Sequence, residues 1–171
     1  MKLHMSVVKV NFEGDTEMSW IDDLANTEKD KKHSEAKRAE IRLRKHELIQ
    51  ERFPMFWKEL TKQVDKDCSE LKEKLPNCID YHIRKDDLPS GGLLPSGGFT
   101  LTCEAAPPLR RLSVQPTIEA ECIDVSGGHI NQRIEMSIAG DNTLVFTWEG
   151  KNYTTPEELS QALIRYCMSG K

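Results

Sequence analysis

The sequence predicts an α+β protein: a long kinked N-terminal helical segment, a five-stranded antiparallel meander sheet, and a short C-terminal helix packed on the same sheet face. Three observations predict it. Apolar residues recur at helical spacing between residues 57 and 75, the period switches to two between residues 79 and 148, and Thr155-Pro156-Glu157-Glu158 opens a last helix. A change of period from 3.6 to 2 marks the passage from helix to strand.

The first element is an N-terminal arm, residues 1–18. Val8, Val10 and Phe12 alternate loosely, as a short edge strand would, and Gly14-Asp15 is a turn. Residues 2–5, Lys-Leu-His-Met, resemble a cloning scar ahead of a start at Met5, and no function is expected of residues 1–5. A charged helical segment follows, residues 19–53. Ser19 stands three residues before Asp22 in a weak capping box, and Trp20, Ile21 and Leu24 form an apolar patch on the first turns. Residues 26–40, NTEKDKKHSEAKRAE, hold no apolar side chain larger than alanine. Spaced pairs such as Glu28 with Lys32 and Glu40 with Arg44 support a helix by a few tenths of a kcal/mol each. Such a helix has no face to bury and projects into solvent or orders on binding.

The core domain spans residues 54–171. Trp57, Leu60, Val64, Cys68, Leu71 and Leu75 make one helical stripe, ended by Pro76-Asn77. Proline lacks an N–H and its ring clashes with the carbonyl four residues back. Pro54 therefore predicts two helices, or one sharply kinked. The strands predicted next are Ile79/Tyr81/Ile83, Phe99/Leu101/Cys103, Ile118/Ala120/Cys122, the long Ile130/Gln132/Ile134/Met136/Ile138, and Leu144/Phe146/Trp148. Clean alternation means one buried and one wet face, and no crossover helix separates the strands, so a meander is the simplest topology. Gly140-Asp141-Asn142 reads as a hairpin turn. In the last helix Thr155 is the N-cap, Pro156 the first helical residue and Glu158 the capping-box acid, with Leu159, Ala162, Leu163 and Tyr166 on the apolar face.

Composition bounds the function. Charged residues make up 30 % of the chain and aromatics 6 %, and the net charge of −4 argues against wholesale coating of nucleic acid. No apolar run matches a signal peptide or a membrane span, so a soluble, cytoplasmic protein with no membrane partner is expected. Five cysteines, Cys68, Cys78, Cys103, Cys122 and Cys167, form no Cys-x-x-Cys pair, and the five histidines are scattered. They read as reduced structural cysteines, and no metal or cofactor is expected.

Four features merit a functional reading. Leu88-Pro89-Ser90-Gly91-Gly92 recurs as Leu94-Pro95-Ser96-Gly97-Gly98. Paired glycines after serine resemble an anion nest, but neither Gly-Lys-Ser nor a helix start follows, and a flexible loop is the simpler account. Ser126-Gly127-Gly128-His129 brings serine near histidine without a nucleophile elbow. Between residues 29 and 46 the basic residues Lys29, Lys31, Lys32, Lys37, Arg38, Arg42, Arg44 and Lys45 outnumber Asp30, Glu35 and Glu40, a local balance of +5 that leaves −9 elsewhere. The run suits phosphate contact, yet it lacks interleaved aromatics, and a solvated helix face with mixed charges explains it more simply. Lastly, the wet sheet face carries His82, Arg84, Glu119, Glu121, Arg133 and Glu135, a candidate ligand site if it is concave, with Glu119 and Glu121 side by side on one strand.

The expectation is a non-enzymatic module for protein–protein interaction or self-association. Its candidate interaction residues are Trp20, Ile21, Leu24, Lys37, Arg38, Arg42, Arg44 and Lys45. Nucleic-acid binding through the basic run, or a small-molecule site on the polar sheet face, is the alternative.

Overall fold

The computed structural model describes residues 20–83, 97–103, 110–128 and 130–169. The chain divides into two compact units, residues 1–40 and 41–171, and helix α1 (Trp20–Lys74) contributes to both. In the first unit every described residue, 20–40, is helical and exposed.

The second unit is a single antiparallel sheet with helices on one face. Among the described residues seven strands run in chain order: β1 (Asp80–Ile83), β2 (Phe99–Cys103), β3 (Arg110–Thr117), β4 (Cys122–Gly127), β5 (Ile130–Ile138), β6 (Leu144–Trp148) and β7 (Lys151–Tyr153). Helix α2 (Pro156–Ser169) closes the chain. The meander holds, but with seven strands in place of five.

Three differences have local causes. The expected strand at Ile118, Ala120 and Cys122 is instead a 3₁₀ turn (Ile118–Ala120) between β3 and β4. Glu121 follows in the left-handed region, φ 50°, and its carbonyl accepts the Met136 N–H. This extra residue shifts the phase by one, so Ile123 and Val125 face the core rather than continuing the parity of Ile118 and Ala120. β3 was obscured by Pro116, which argues against a central strand; it sits near the strand end opposite Ile123. β7 follows a two-residue turn, Glu149-Gly150, with both residues at positive φ. That is the hairpin geometry normally signalled by Asn-Gly, here begun by a glutamate.

Pro54 lies inside α1 and does not divide it. On either side of it Ile49, Phe53, Phe56, Trp57 and Leu60 are buried in the core. Burying each such side chain is worth about 1.5–3 kcal/mol, against roughly 3 kcal/mol for an interior proline. The buried stripe wins, and the helix is continuous. It ends as expected, with Lys74 last and Asn77 at φ 62°, although Leu75 is exposed.

The apolar sheet face carries Phe99, Leu101, Leu112, Val114, Ile123, Val125, Ile134, Met136, Phe146 and Trp148. Aromatic contacts seat the helices on it. Phe56 stacks on Phe146 with centroids 4.2 Å apart, Trp57 on Phe99 at 5.5 Å, and Tyr166 of α2 meets Trp148 at 4.9 Å. Trp57 Nε1 donates to the Gly97 carbonyl, and Tyr81 Oη to the Thr61 carbonyl. The capping box of α2 is formed: Glu158 N–H donates to Thr155 Oγ1, and Glu158 Oε2 accepts the Thr154 and Thr155 N–H groups. The hairpin at residues 139–143 closes with Ala139 N–H on the Thr143 carbonyl and Asn142 N–H on the Ala139 carbonyl.

Candidate interaction surface

The arm strand at Val8, Val10 and Phe12, the Ser19 cap, Arg84, His129 and the Leu-Pro-Ser-Gly-Gly repeat up to Ser96 lie outside the described residues. The remaining candidates can be placed.

The interaction candidates all lie exposed on α1. Trp20 is 74 % exposed, Leu24 59 % and Ile21 56 %, and farther along the same helix Ile41 and Leu43 are exposed as well. Trp20 and Leu24 are four residues apart and so share a face. Of the basic residues, Arg38, Arg42 and Lys45 fall on one face at i, i+4 and i+7, while Lys37 and Arg44 share a neighbouring one. Among the described residues, neither Glu28–Lys32 nor Glu40–Arg44 closes to ion-pair distance; Arg44 instead meets Glu47 at 3.6 Å, both exposed. A pair of this kind contributes little. Within the helix, Thr27 Oγ1 donates to the Asp23 carbonyl and Ser34 Oγ to the Lys31 carbonyl, each at 2.8 Å.

The described polar-face candidates form no single cluster, although Arg133 and Glu135 share one face of β5. His82 stands on the edge strand β1, whereas Arg133 and Glu135 stand on β5, four strands and about 19 Å away at ~4.8 Å per strand. Glu119 is in the 3₁₀ turn, and Glu121, off the strand, accepts from His46 Nδ1 on α1 at 2.9 Å. The other ring nitrogen of His46 is met by Gln50 Nε2 at 2.8 Å, so both edges of the ring are occupied. Arg133 Nε donates to Asp124 Oδ1 at 3.1 Å, and Thr117 Oγ1 to Asp124 Oδ2 at 3.0 Å. These are cross-strand pairs that stabilise a solvated sheet face.

Sequence reasoning missed a groove of about 600 Å³ between β7 and α2, lined by Trp148, Glu149, Lys151, Tyr153, Glu158 and Arg165 among others. No signal marked it, because β7 itself was not legible. A second depression, about 490 Å³, lies beside Arg52, Met55 and Phe56. Neither takes a residue from the polar-face set.

All five cysteines are free and buried. Burial pushes the Cys68 and Cys167 thiols up to about 12 and raises Cys122, which keeps them protonated and unreactive at neutral pH. Burial likewise raises the Tyr81, Tyr153 and Tyr166 phenols. The hydrogen bond from Lys72 holds the Asp80 carboxyl below its usual range. No group of three or more metal-ligating side chains gathers among the described residues, and no described helix is long and apolar enough to cross a membrane.

Compared with protein families, curated proteins and solved structures, the chain matches none.

Proposed function

We propose that this chain is a non-enzymatic protein-interaction module whose exposed stretch of α1, residues 20–47, docks onto a protein surface. One observation carries the reading. The helix runs through its first 28 residues before reaching a buried one, Leu48, yet it holds Trp20, Leu24, Ile41 and Leu43 in water. Most helical stability in proteins comes from packing an apolar face. A long exposed helix carrying large apolar side chains is therefore suited to a face supplied by another molecule.

The test is capture of protein partners, with light scattering, by the full chain and by a Trp20→Ser/Leu24→Asp variant. Complexes that form with the full chain and are lost in the variant, at unchanged thermal stability, support the reading. Unchanged masses and unchanged capture overturn it. The alternative, a nucleic-acid backbone held by Arg38, Arg42 and Lys45, predicts binding that falls steeply with salt and is lost on neutralising Lys37, Arg38, Arg42 and Arg44.

A further inference from the structure

The exposed stretch of α1 is polarised along its length. Residues 20–28 carry Asp22, Asp23 and Glu28 and no base, while residues 37–45 carry Lys37, Arg38, Arg42, Arg44 and Lys45 against Glu40 alone. Its apolar side chains also sit at the two ends, Trp20 and Leu24 in one and Ile41 and Leu43 in the other. A helix acidic at one end and basic at the other, with apolar residues at both, is complementary to its own reversed copy.

We propose that a second copy of this chain docks antiparallel along residues 20–45 of α1, centred between Lys32 and His33. This rests on reading that stretch as an interaction surface. The residues at the alternating four- and three-residue spacing of a two-helix seam are Trp20, Leu24, Thr27, Lys31, Ser34, Arg38, Ile41 and Lys45, of which Trp20, Leu24 and Ile41 are apolar. Reversal about the centre maps this set onto itself. Leu24 of one copy falls against Ile41 of the other, Trp20 against Lys45, Thr27 against Arg38, and Lys31 against Ser34. Each contact is made twice, as a two-fold interface requires.

Three features fit the pairing. Beside the seam, Asp23 falls near Arg44 of the second copy and Asp30 near Lys37; a parallel pairing would set acid on acid and base on base. The Trp20 ring receives the Lys45 ammonium, a cation–π geometry. The two small polar seam residues, Thr27 and Ser34, already donate their hydroxyls to their own helix, at Asp23 and Lys31. A partner can thus cover them without leaving a donor unpaired. Against the pairing stand Glu28 opposite Glu35 and the basic seam residues Lys31 and Arg38. Polar seam positions fix register at a cost in stability, so the dimer is weak and salt-sensitive.

Sedimentation equilibrium of the full chain over a concentration series, at low and high salt, tests the proposal. The expected result is a monomer–dimer equilibrium, weakened by salt. Leu24→Asp or Ile41→Asp should weaken it by about tenfold or more, because each change acts twice in a two-fold interface. Asp23→Lys and Arg44→Glu should each weaken it, and the double variant should restore it, with circular dichroism and thermal melts unchanged throughout. A chain that stays monomeric across the series overturns the proposal, as does a dimer indifferent to Leu24→Asp or a charge swap without rescue. Where the chain is monomeric, capture of a different protein lost in Leu24→Asp keeps the interaction surface and removes only the homodimer. Capture unaffected by that variant removes both.

Discussion

Ser160 Oγ on α2, wholly buried, donates to Asp67 Oδ2 on α1 at 2.6 Å, and the other oxygen of Asp67 accepts from Gln63 Nε2 at 2.7 Å. This short charge-assisted bond ties the two helices together over the apolar sheet face. A hydrogen bond to a charged group is worth about 1.5–3 kcal/mol net. Ser160→Ala should cost roughly 1–2 kcal/mol, since the partly buried Asp67 still reaches water that can take its place. Asp67→Ala should cost at least as much, because it strands a buried hydroxyl. Urea unfolding of the two single variants and the double should return a coupling of about 1 kcal/mol or more; additive losses would show that the bond contributes nothing of its own.

The α2 capping box gives the fold a pH signature. The Thr154 and Thr155 N–H groups hold the Glu158 carboxyl below its usual 4.5. A depressed folded value means the unfolded chain takes up this proton first. Its contribution is therefore complete above about pH 4.5 and is lost as pH falls through the folded value. Glu158→Gln should lower the melting temperature at pH 7 and flatten its decline between pH 5 and 3. A variant melting curve that falls as steeply with acid as the parent's would remove Glu158 from the account. Asp80, held down by Lys72, adds a contribution of the same sign, so the residual slope should shrink further in Asp80→Asn.

Two glycines separate steric need from habit. A Cβ on Gly127 would sit 1.8 Å from the Arg111 carbonyl oxygen, in backbone that cannot yield without opening β3 from β4. Gly140, in the β5–β6 turn, has nothing within 4 Å of the same position. Gly127→Ala should lose roughly 2–4 kcal/mol or fail to accumulate folded, while Gly140→Ala should stay within about 0.5 kcal/mol of the parent. Chemical denaturation of the pair decides it; equal stability would mean the sheet bends to admit the methyl.

How much of this was legible in the sequence depended on whether local signals agreed with burial. β5, with five core-parity residues in a row, and α2, with cap, proline and acid in order, were readable because every local choice points the same way. β3 and β4 were not, because Pro116 and the left-handed Glu121 break the alternation at their shared turn. Glu119 and Glu121 were paired on a strand for the same reason, and one residue of phase shift dissolves that pair. The exposed α1 surface was legible from a lack of apolar side chains at residues 26–40. The β7–α2 groove was not, since it is made by tertiary packing.

Pro54 offers the strictest test of how sequence and packing compete in α1. It leaves the helix without one N–H, so the Gln50 carbonyl receives no backbone partner four residues on. The helix continues because Phe53, Phe56 and Trp57 are held against Phe146 and Phe99. Two variants pull in opposite directions. Pro54→Ala restores the bond and should raise stability by about 1–3 kcal/mol, with helix content unchanged or slightly higher. Trp57→Ala removes the packing while keeping the proline and should cost about 3–5 kcal/mol. If the helix is held by packing, hydrogen exchange at residues 50–58 should speed up in Trp57→Ala and slow in Pro54→Ala. Exchange at these residues left unchanged in Trp57→Ala would mean that local helix propensity, not the aromatic cluster, carries the chain past the proline.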